Sequence, residues 1–254
     1  MLTTTVQNRV LHVVFDRPAK KNALTSEMYA GVTDTLNRAE AEEGIRAVVL
    51  RGSGGNFTAG NDLMEFAMFS QLAGSIRDTP VVGSIHRILS FEKPLIAAVH
   101  GLAVGWGVTV LMHCDAVLAS DSARFSVPFT KLGLVPEFGS SYLLPRLAGD
   151  VRARHLLMTG GMLNTEEAVR LGLVSQTTTD DALEADAQAL GETFANLPTG
   201  ALLATKRLLR TATGHDRLKQ AVEEELDHFE AGLRSEDHRE AIMAFMEKRS
   251  PRFS

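Results

Sequence analysis

Residues 95–114 form the longest apolar stretch of the chain, and His100, Gly101, Gly105, Gly107 and His113 interrupt it. The run is long enough to raise the question of a membrane span. A buried strand, a glycine turn and a buried helix account for the same residues better. The chain has 254 residues and is 44% hydrophobic, enough for a large core in one domain with an appendage, or in two small domains.

The pattern on either side fits that reading. Residues 10–15 are β-branched and apolar, a strand closed by Asp16-Arg17-Pro18. Thr25 or Ser26 caps an expected helix over 27–43, with Met28, Val32, Leu36 and Ala39 at helical spacing. A short buried strand is expected over 47–50, then a turn-rich loop, Gly52-Ser53-Gly54-Gly55-Asn56, and helices over 61–69 and 82–91. Strands follow at 95–99 and 116–120. This alternation predicts an α/β body. Beyond Ser140 the pattern turns helical, with segments at 142–147, 151–158, 165–171, 181–195, 200–211, 216–233 and 235–248. The one strand signal there is Leu173-Val174-Ser175. There is no internal repeat, low-complexity tract or linker.

The charge excludes some functions. A net charge of -5 and a pI of about 5.9 leave no basic surplus for neutralising many phosphates, so no nucleic-acid partner is expected. The single cysteine, Cys114, rules out an intrachain disulfide. The N-terminus lacks the basic and apolar regions of a signal peptide, and the last residues, Pro251-Arg252-Phe253-Ser254, differ from a peroxisomal S-K-L. Cytoplasm is the default expectation. No G-x-S-x-G, H-E-x-x-H or zinc-spaced cysteine–histidine cluster occurs. His113-Cys114-Asp115 are adjacent residues at an expected helix–strand junction and do not face one point, so no metal site is expected. Gly52–Gly55 lacks the Lys and Ser/Thr of a phosphate-binding loop, and the 101–107 glycines lack the dinucleotide-binding spacing.

Three segments carry the chemistry. They are Asn56-Phe57-Thr58-Ala59-Gly60-Asn61-Asp62-Leu63, then Lys93-Pro94 through Gly105-Trp106-Gly107, then Phe125 through Pro136-Glu137-Phe138-Gly139-Ser140-Ser141. Each of the first two would set a glycine turn at a helix start. Free backbone N–H groups point outward there and the helix dipole favours negative charge. Two such donors can grip one oxygen on which negative charge develops.

In order and separation these segments, with Arg17-Pro18-Ala19-Lys20-Lys21-Asn22-Ala23-Leu24 before them, resemble the crotonase, or enoyl-CoA hydratase/isomerase, superfamily. The resemblance runs through essentially the whole chain to Ala244–Arg249. It implies a crotonase-type ββα spiral (the ClpP/crotonase fold): an α/β catalytic, acyl-CoA-binding domain over 1–195 and a helical trimerisation region over 196–254. It implies an acyl-CoA thioester substrate, with coenzyme A entering as part of the substrate and no permanently bound cofactor, and a homotrimer or a hexamer made of two trimers.

Residue by residue, the resemblance assigns the oxyanion donors to the N–H groups of Asn61 and Trp106. The family more often has glycine where Trp106 stands; any residue but proline supplies the N–H. The indole is expected either to narrow the acyl pocket or to sit in the core. The two positions where hydratases carry carboxylates hold Thr109 and Phe129, neither a general base. Glu137, after a proline, resembles the catalytic glutamate of peroxisomal-type Δ3,Δ2-enoyl-CoA isomerases. One base suffices there, taking a proton from C2 and returning it to C4. Without the resemblance, Glu137 reads as a solvated or capping residue. Lys20, Lys21, Ala23, Ala59, Gly60, Asp62, Leu63, Gly105, Phe245 and Lys248 are the implied substrate contacts, Phe245 and Lys248 from a neighbouring subunit. The alternatives are an enoyl-CoA hydratase in which Glu137 activates water alone, and a catalytically silent acyl-CoA-binding or RNA-associated relative. The acidic pI weakens the RNA version. Keeping Glu137 while both hydratase positions are lost weakens the silent one.

Overall fold

The computed structural model describes residues 1–65 and 74–253. A six-stranded sheet has the order β1 (Leu2–Gln7), β2 (Val10–Phe15), β3 (Ala47–Gly52), β4 (Leu95–Val99), β6 (Ala116–Ser120), β9 (Gln176–Thr178). β1 and β2 are antiparallel and the remaining pairs are parallel. A three-stranded sheet holds β5 (Leu102–Val104), β7 (Arg124–Ser126) and β8 (Met162–Asn164).

The inner strands are apolar on both faces because both faces are covered. Leu11, Val13, Phe15, Val48, Leu50, Leu95, Ala97, Val99, Val117 and Ala119 enter the main core, with helices α1 (Ser26–Ala41) and α2 (Pro80–Ser90). Their alternates Val10, Ala47, Val49, Ile96, Ala98, Ala116 and Leu118 pack on the other side against Leu183, Ala187 and Ala195 of α7 (Leu183–Asn196). The continuous apolar run at 95–99 is therefore a two-sided strand. Among the described residues no helix is long and apolar enough to cross a membrane.

The chain repeats one move. A strand of the large sheet ends, the chain turns a corner, and a short extended piece runs in a second layer. β4 is followed by β5, and β6 by β7. In the same way β3 is followed by Thr58, which bridges Ala103, and β2 by Leu24, which bridges Asn61. The corners differ in length, yet the short extended pieces pair side by side in the second layer, as a ββα spiral requires. Asn22 holds one corner. It is fully buried and left-handed (φ 57°); its Oδ1 accepts from Arg17 N–H, and its Nδ2 donates to the carbonyls of Ser53 and Asn56.

The remaining helices are α3 (Trp106–Thr109), α4 (Ser140–Ala148), α5 (Asp150–Thr159), α6 (Thr165–Arg170), α8 (Thr199–Ala212), α9 (His215–Leu233) and α10 (Glu236–Met246). All seven helices expected after Ser140 form. The expected helix over 61–69 starts two residues late, at 63, because Asn61 is an extended bridge partner of Leu24; residues 66–69 lie outside the described residues. The helix expected up to His113 is four residues of α-helix followed by a 3-10 turn, Val110–His113. The sequence reading misses β1, whose middle is polar and exposed, and the three-residue strands β5, β7 and β8, too short for any period to show. Its strand at Leu173-Val174-Ser175 is displaced: Leu173 and Val174 are buried in the core, and pairing with β6 starts at Gln176.

The expected division after residue 195 falls at the end of α7. Leu218, Val222, Leu226, Phe229 and Leu233 of α9 nevertheless belong to the main core. The C-terminal helices therefore close over the α/β body of their own chain.

Replacing Asn22 with alanine leaves one N–H and two carbonyls without their partner in a buried corner. Asn22→Ala is expected to lower stability by about 2–4 kcal/mol in urea unfolding, since each stranded buried group costs about 1–3 kcal/mol. A loss within experimental scatter would mean that the corner is held by other contacts.

Candidate active site

Two chain corners meet at the site. The parallel bridge between Thr58 and Ala103 sets the loop 58–62 beside 102–106. Thr58 N–H donates to Leu102 O, and Val104 N–H donates to Thr58 O. Gly60 is left-handed (φ 85°), and a Cβ there would lie 2.7 Å from the carbonyl oxygen of Val104. Only glycine lets these corners approach so closely.

Two donors are left over. Leu24 pairs with the peptide groups on either side of Asn61: its N–H donates to Gly60 O and its O accepts from Asp62 N–H. Gly105 N–H donates to Ser126 O and precedes Trp106, the first residue of α3, with no side-chain cap. The N–H groups of Asn61 and Trp106 donate to no acceptor among the described residues. Open donors at neighbouring corners are the arrangement that holds an oxyanion.

The side chains behind these donors are locked. Tyr29, fully buried in α1, donates its hydroxyl to Asn61 Oδ1. The Trp106 indole is 1% exposed. Phe15 and Tyr29 pack edge-on against it at 6.0 and 5.3 Å, and Phe138 stacks on it at 6.3 Å. Of the two places expected for the indole, the structure shows the core one. The apolar shell takes the ring, while the backbone of the same residue presents its N–H.

Glu137 lines a cavity with Asn61, Ile76, Val81, Val82, Ile85, Leu226 and Phe229. Its carboxyl is 6% exposed, and Thr109 Oγ1 donates to Oε1 at 2.5 Å. Burial pushes its pKa up to about 8; the Thr109 hydrogen bond pulls it down and the Glu225 carboxylate adds to the rise. Glu137 is thus a buried carboxyl at a pocket wall, not the solvated residue that its sequence context alone suggests. Thr109, in one of the two hydratase positions, touches Glu137 itself. Phe129, in the other, is buried in the core.

The other expected contact residues divide into two groups. Lys20, Lys21 and Ala23 adjoin Ala59 and Gly60: Ala59 N–H donates to Lys21 O, and Leu24 N–H to Gly60 O. Lys20 and Lys21 are exposed. Asp62 caps a helical turn, accepting at Oδ1 from the N–H groups of Met64 and Glu65 as Leu63 opens the turn 63–65. It also pairs with Arg17 at 2.5 Å, which the sequence reading misses. Phe245 and Lys248 sit at the end of α10, exposed, with no hydrogen bond to the 20–24 or 58–62 segments among the described residues. No group of three or more metal-ligating side chains occurs among the described residues.

Known proteins agree with this architecture. The Enoyl-CoA hydratase/isomerase family matches residues 5–254. A 1,2-epoxyphenylacetyl-CoA isomerase of Escherichia coli is 34% identical over 98% of this chain and 96% of its own length. Enoyl-CoA delta isomerase 2 of Rattus norvegicus is 34% identical over 98% of this chain and 64% of its own length. A crystal structure of an enoyl-CoA hydratase/isomerase from Pseudoalteromonas atlantica superposes with a TM-score of 0.92 at 39% identity, covering 100% of this chain and 99% of that one. The chain belongs to the enoyl-CoA hydratase/isomerase family and has the crotonase fold. It is an enzyme of that superfamily, whose members act on CoA thioesters.

Glu137 ionises later in the folded protein than in the unfolded chain, whose carboxyl titrates near the ordinary value of 4.5. As pH rises from about 4.5 to about 8, the unfolded state gives up this proton first, so Glu137 subtracts stability across that window. Glu137→Gln is therefore expected to raise the melting temperature, by more at pH 8 than at pH 5, with a gain on the order of a few kcal/mol at the upper pH. A gain that is the same at both pH values would show that Glu137 is not held neutral by the fold.

Proposed function

We propose that the protein is a Δ3,Δ2-enoyl-CoA isomerase in which Glu137 carries the proton and the N–H groups of Asn61 and Trp106 hold the thioester oxygen. The observation that carries this reading is the lone buried carboxyl on the wall of an otherwise almost wholly apolar pocket that Asn61, one of the two donor residues, also lines. The ionised Glu137 takes a proton from C2 of a 3-enoyl-CoA. The electron pair moves into the thioester, and its oxygen becomes the oxyanion that the two donors stabilise. The protonated Glu137 then returns the proton at C4 as the double bond forms between C2 and C3. A carboxyl with a pKa near 8 is matched to both halves of that exchange near neutral pH.

Hydration of a 2-enoyl-CoA is the weaker reading. It uses two carboxylates, one for water and one for the α-proton, and here Thr109 and Phe129 stand in those positions. The other buried carboxylate among the described residues, Glu225, has both oxygens engaged by backbone N–H groups.

The remaining roles extend the same proposal. Lys20 and Lys21 meet the phosphates or the adenine of CoA, while Ala23, Ala59, Gly60, Asp62, Leu63 and Gly105 line its path to the donors. Phe245 and Lys248, remote from these segments in hydrogen bonding, act on a neighbouring subunit's CoA in a homotrimer or a hexamer of two trimers. The α/β part, 1–195, then binds and transforms the thioester, and 196–254 carries the assembly contacts.

The test follows the near-ultraviolet absorbance of a conjugated 2-enoyl thioester as it forms from a 3-enoyl-CoA. The rate is expected to rise with pH and to level off above about pH 8, where the base is ionised. Glu137→Gln is expected to remove turnover, by about 100-fold or more, and to leave CoA affinity within about twofold. Turnover that survives this substitution would remove Glu137 from the mechanism. Hydration of 2-enoyl-CoA without isomerisation would replace the isomerase reading with the hydratase one.

A further inference from the structure

The segment that carries Glu137 is backbone-strained. Phe138 is left-handed at φ 59°, and Gly139 follows at φ 74°. A left-handed non-glycine residue persists only where its surroundings hold it. Two side chains from distant parts of the chain do so. His113, at the end of the 3-10 turn after α3, stacks on the Phe138 ring at 4.0 Å, and its Nε2 pairs with Phe138 O at 2.7 Å. Burial lowers the His113 pKa to about 4, so the ring is neutral and Nε2–H is the donor. From the other side, Glu225 of α9 accepts from Gly139 N–H at 2.6 Å through Oε2 and from Ser141 N–H at 2.8 Å through Oε1. These N–H groups belong to the start of α4, whose own N-cap, Gly139, has no side chain to offer them.

We propose that Glu225 is a positioning residue for Glu137: gripping the N–H groups of Gly139 and Ser141, it fixes the left-handed turn that sets the Glu137 carboxyl in the pocket wall. The proposal rests on the isomerase reading for its kinetic consequence and on the fold alone for its structural one. Glu225 is 6% exposed and neither of its oxygens is free, so it holds backbone and does not meet substrate. Its neighbours on α9, Leu226 and Phe229, line the same cavity as Glu137. One helix of the C-terminal region thus both walls the pocket and aims its carboxyl. A displacement of α9 would shift the pocket wall and the base together.

The groups facing Glu137 are Tyr29 from α1, Thr109 from α3 and Glu225 from α9. Glu225 is the carboxylate among them, and it raises the Glu137 pKa, whereas the Thr109 hydroxyl lowers it. Glu225→Gln keeps the shape, loses the charge and turns one acceptor into a donor facing an N–H. Glu225→Asp keeps the charge but is too short to span both N–H groups. Leu233→Ala is the control, loosening the same helix at a buried position away from the turn.

The experiment measures kcat and KM on a 3-enoyl-CoA for all four proteins. It also titrates the Glu137 carboxyl by 13C NMR, assigned by its disappearance in Glu137→Gln. For Glu225→Gln we expect kcat to fall by about 10- to 100-fold with KM within about twofold, as a catalytic group displaced by about 1 Å would give. The Glu137 titration is expected to move to lower pH. Glu225→Asp is expected to share the kcat loss with a titration nearer that of the parent, and it decides the matter if Glu225→Gln does not fold. A kcat loss no larger than that of Leu233→Ala, or an unmoved titration in Glu225→Gln, overturns the proposal. If the parent protein leaves 3-enoyl-CoA unchanged, the isomerase reading has failed, and Glu225→Asp decides the structural claim: with the charge kept, a residual shift of the Glu137 titration supports positioning, and none overturns it.

Discussion

The side-by-side stacking of the chain's corners is the constraint on which the rest of this structure depends. Each parallel strand of the large sheet lies one strand spacing from the next, so the short segments that follow them are stacked at the same spacing. The Thr58–Ala103 bridge is where that regularity reaches the site. It brings two glycine-containing corners together, and each leaves one backbone N–H without a partner among the described residues. Those N–H groups depend on no side-chain rotamer. Their separation is set by the sheet, which supports preorganised binding of an anionic oxygen.

The second element of the site is a carboxyl kept out of water. Glu137 lies between an apolar pocket wall and a core of Trp106, Phe138 and His113 stacked on one another. Burial makes its charge costly, and the single hydroxyl of Thr109 offsets only part of that cost. The same environment that subtracts from stability supports its use as a base, a trade commonly found at functional sites. Tyr29 and Trp106 serve both elements. Tyr29 holds the Asn61 side chain while its ring packs on the indole, so the corner with the open N–H and the segment of Glu137 share one set of aromatic supports.

The C-terminal helices complete the pocket. Leu226 and Phe229 close one wall, and Glu225 reaches the start of α4. The chain's last quarter is therefore part of the cavity it covers, whatever assembly contacts it also makes.

Sequence by itself determined the class of fold, because its cause is local and periodic. Two-sided apolar strands such as Leu95–Val99, glycine corners and regular helical faces read directly from spacing. The first two of the three segments drew attention for a related reason: a glycine turn at a helix start leaves open N–H groups in any fold. The third drew it only through the family resemblance. Three-residue strands such as β5 and β7 were not legible, since their pairing comes from neighbours and not from their own residues. The environment of Glu137 was not legible either, because a pKa depends on what surrounds the carboxyl in space. Glu225 left a faint mark: in a run of three glutamates it alone shares the helical phase of Leu218, Val222 and Phe229, on the buried face of α9. Which backbone that face meets was decided only by the tertiary structure, which brings residues 86 positions apart into one hydrogen bond.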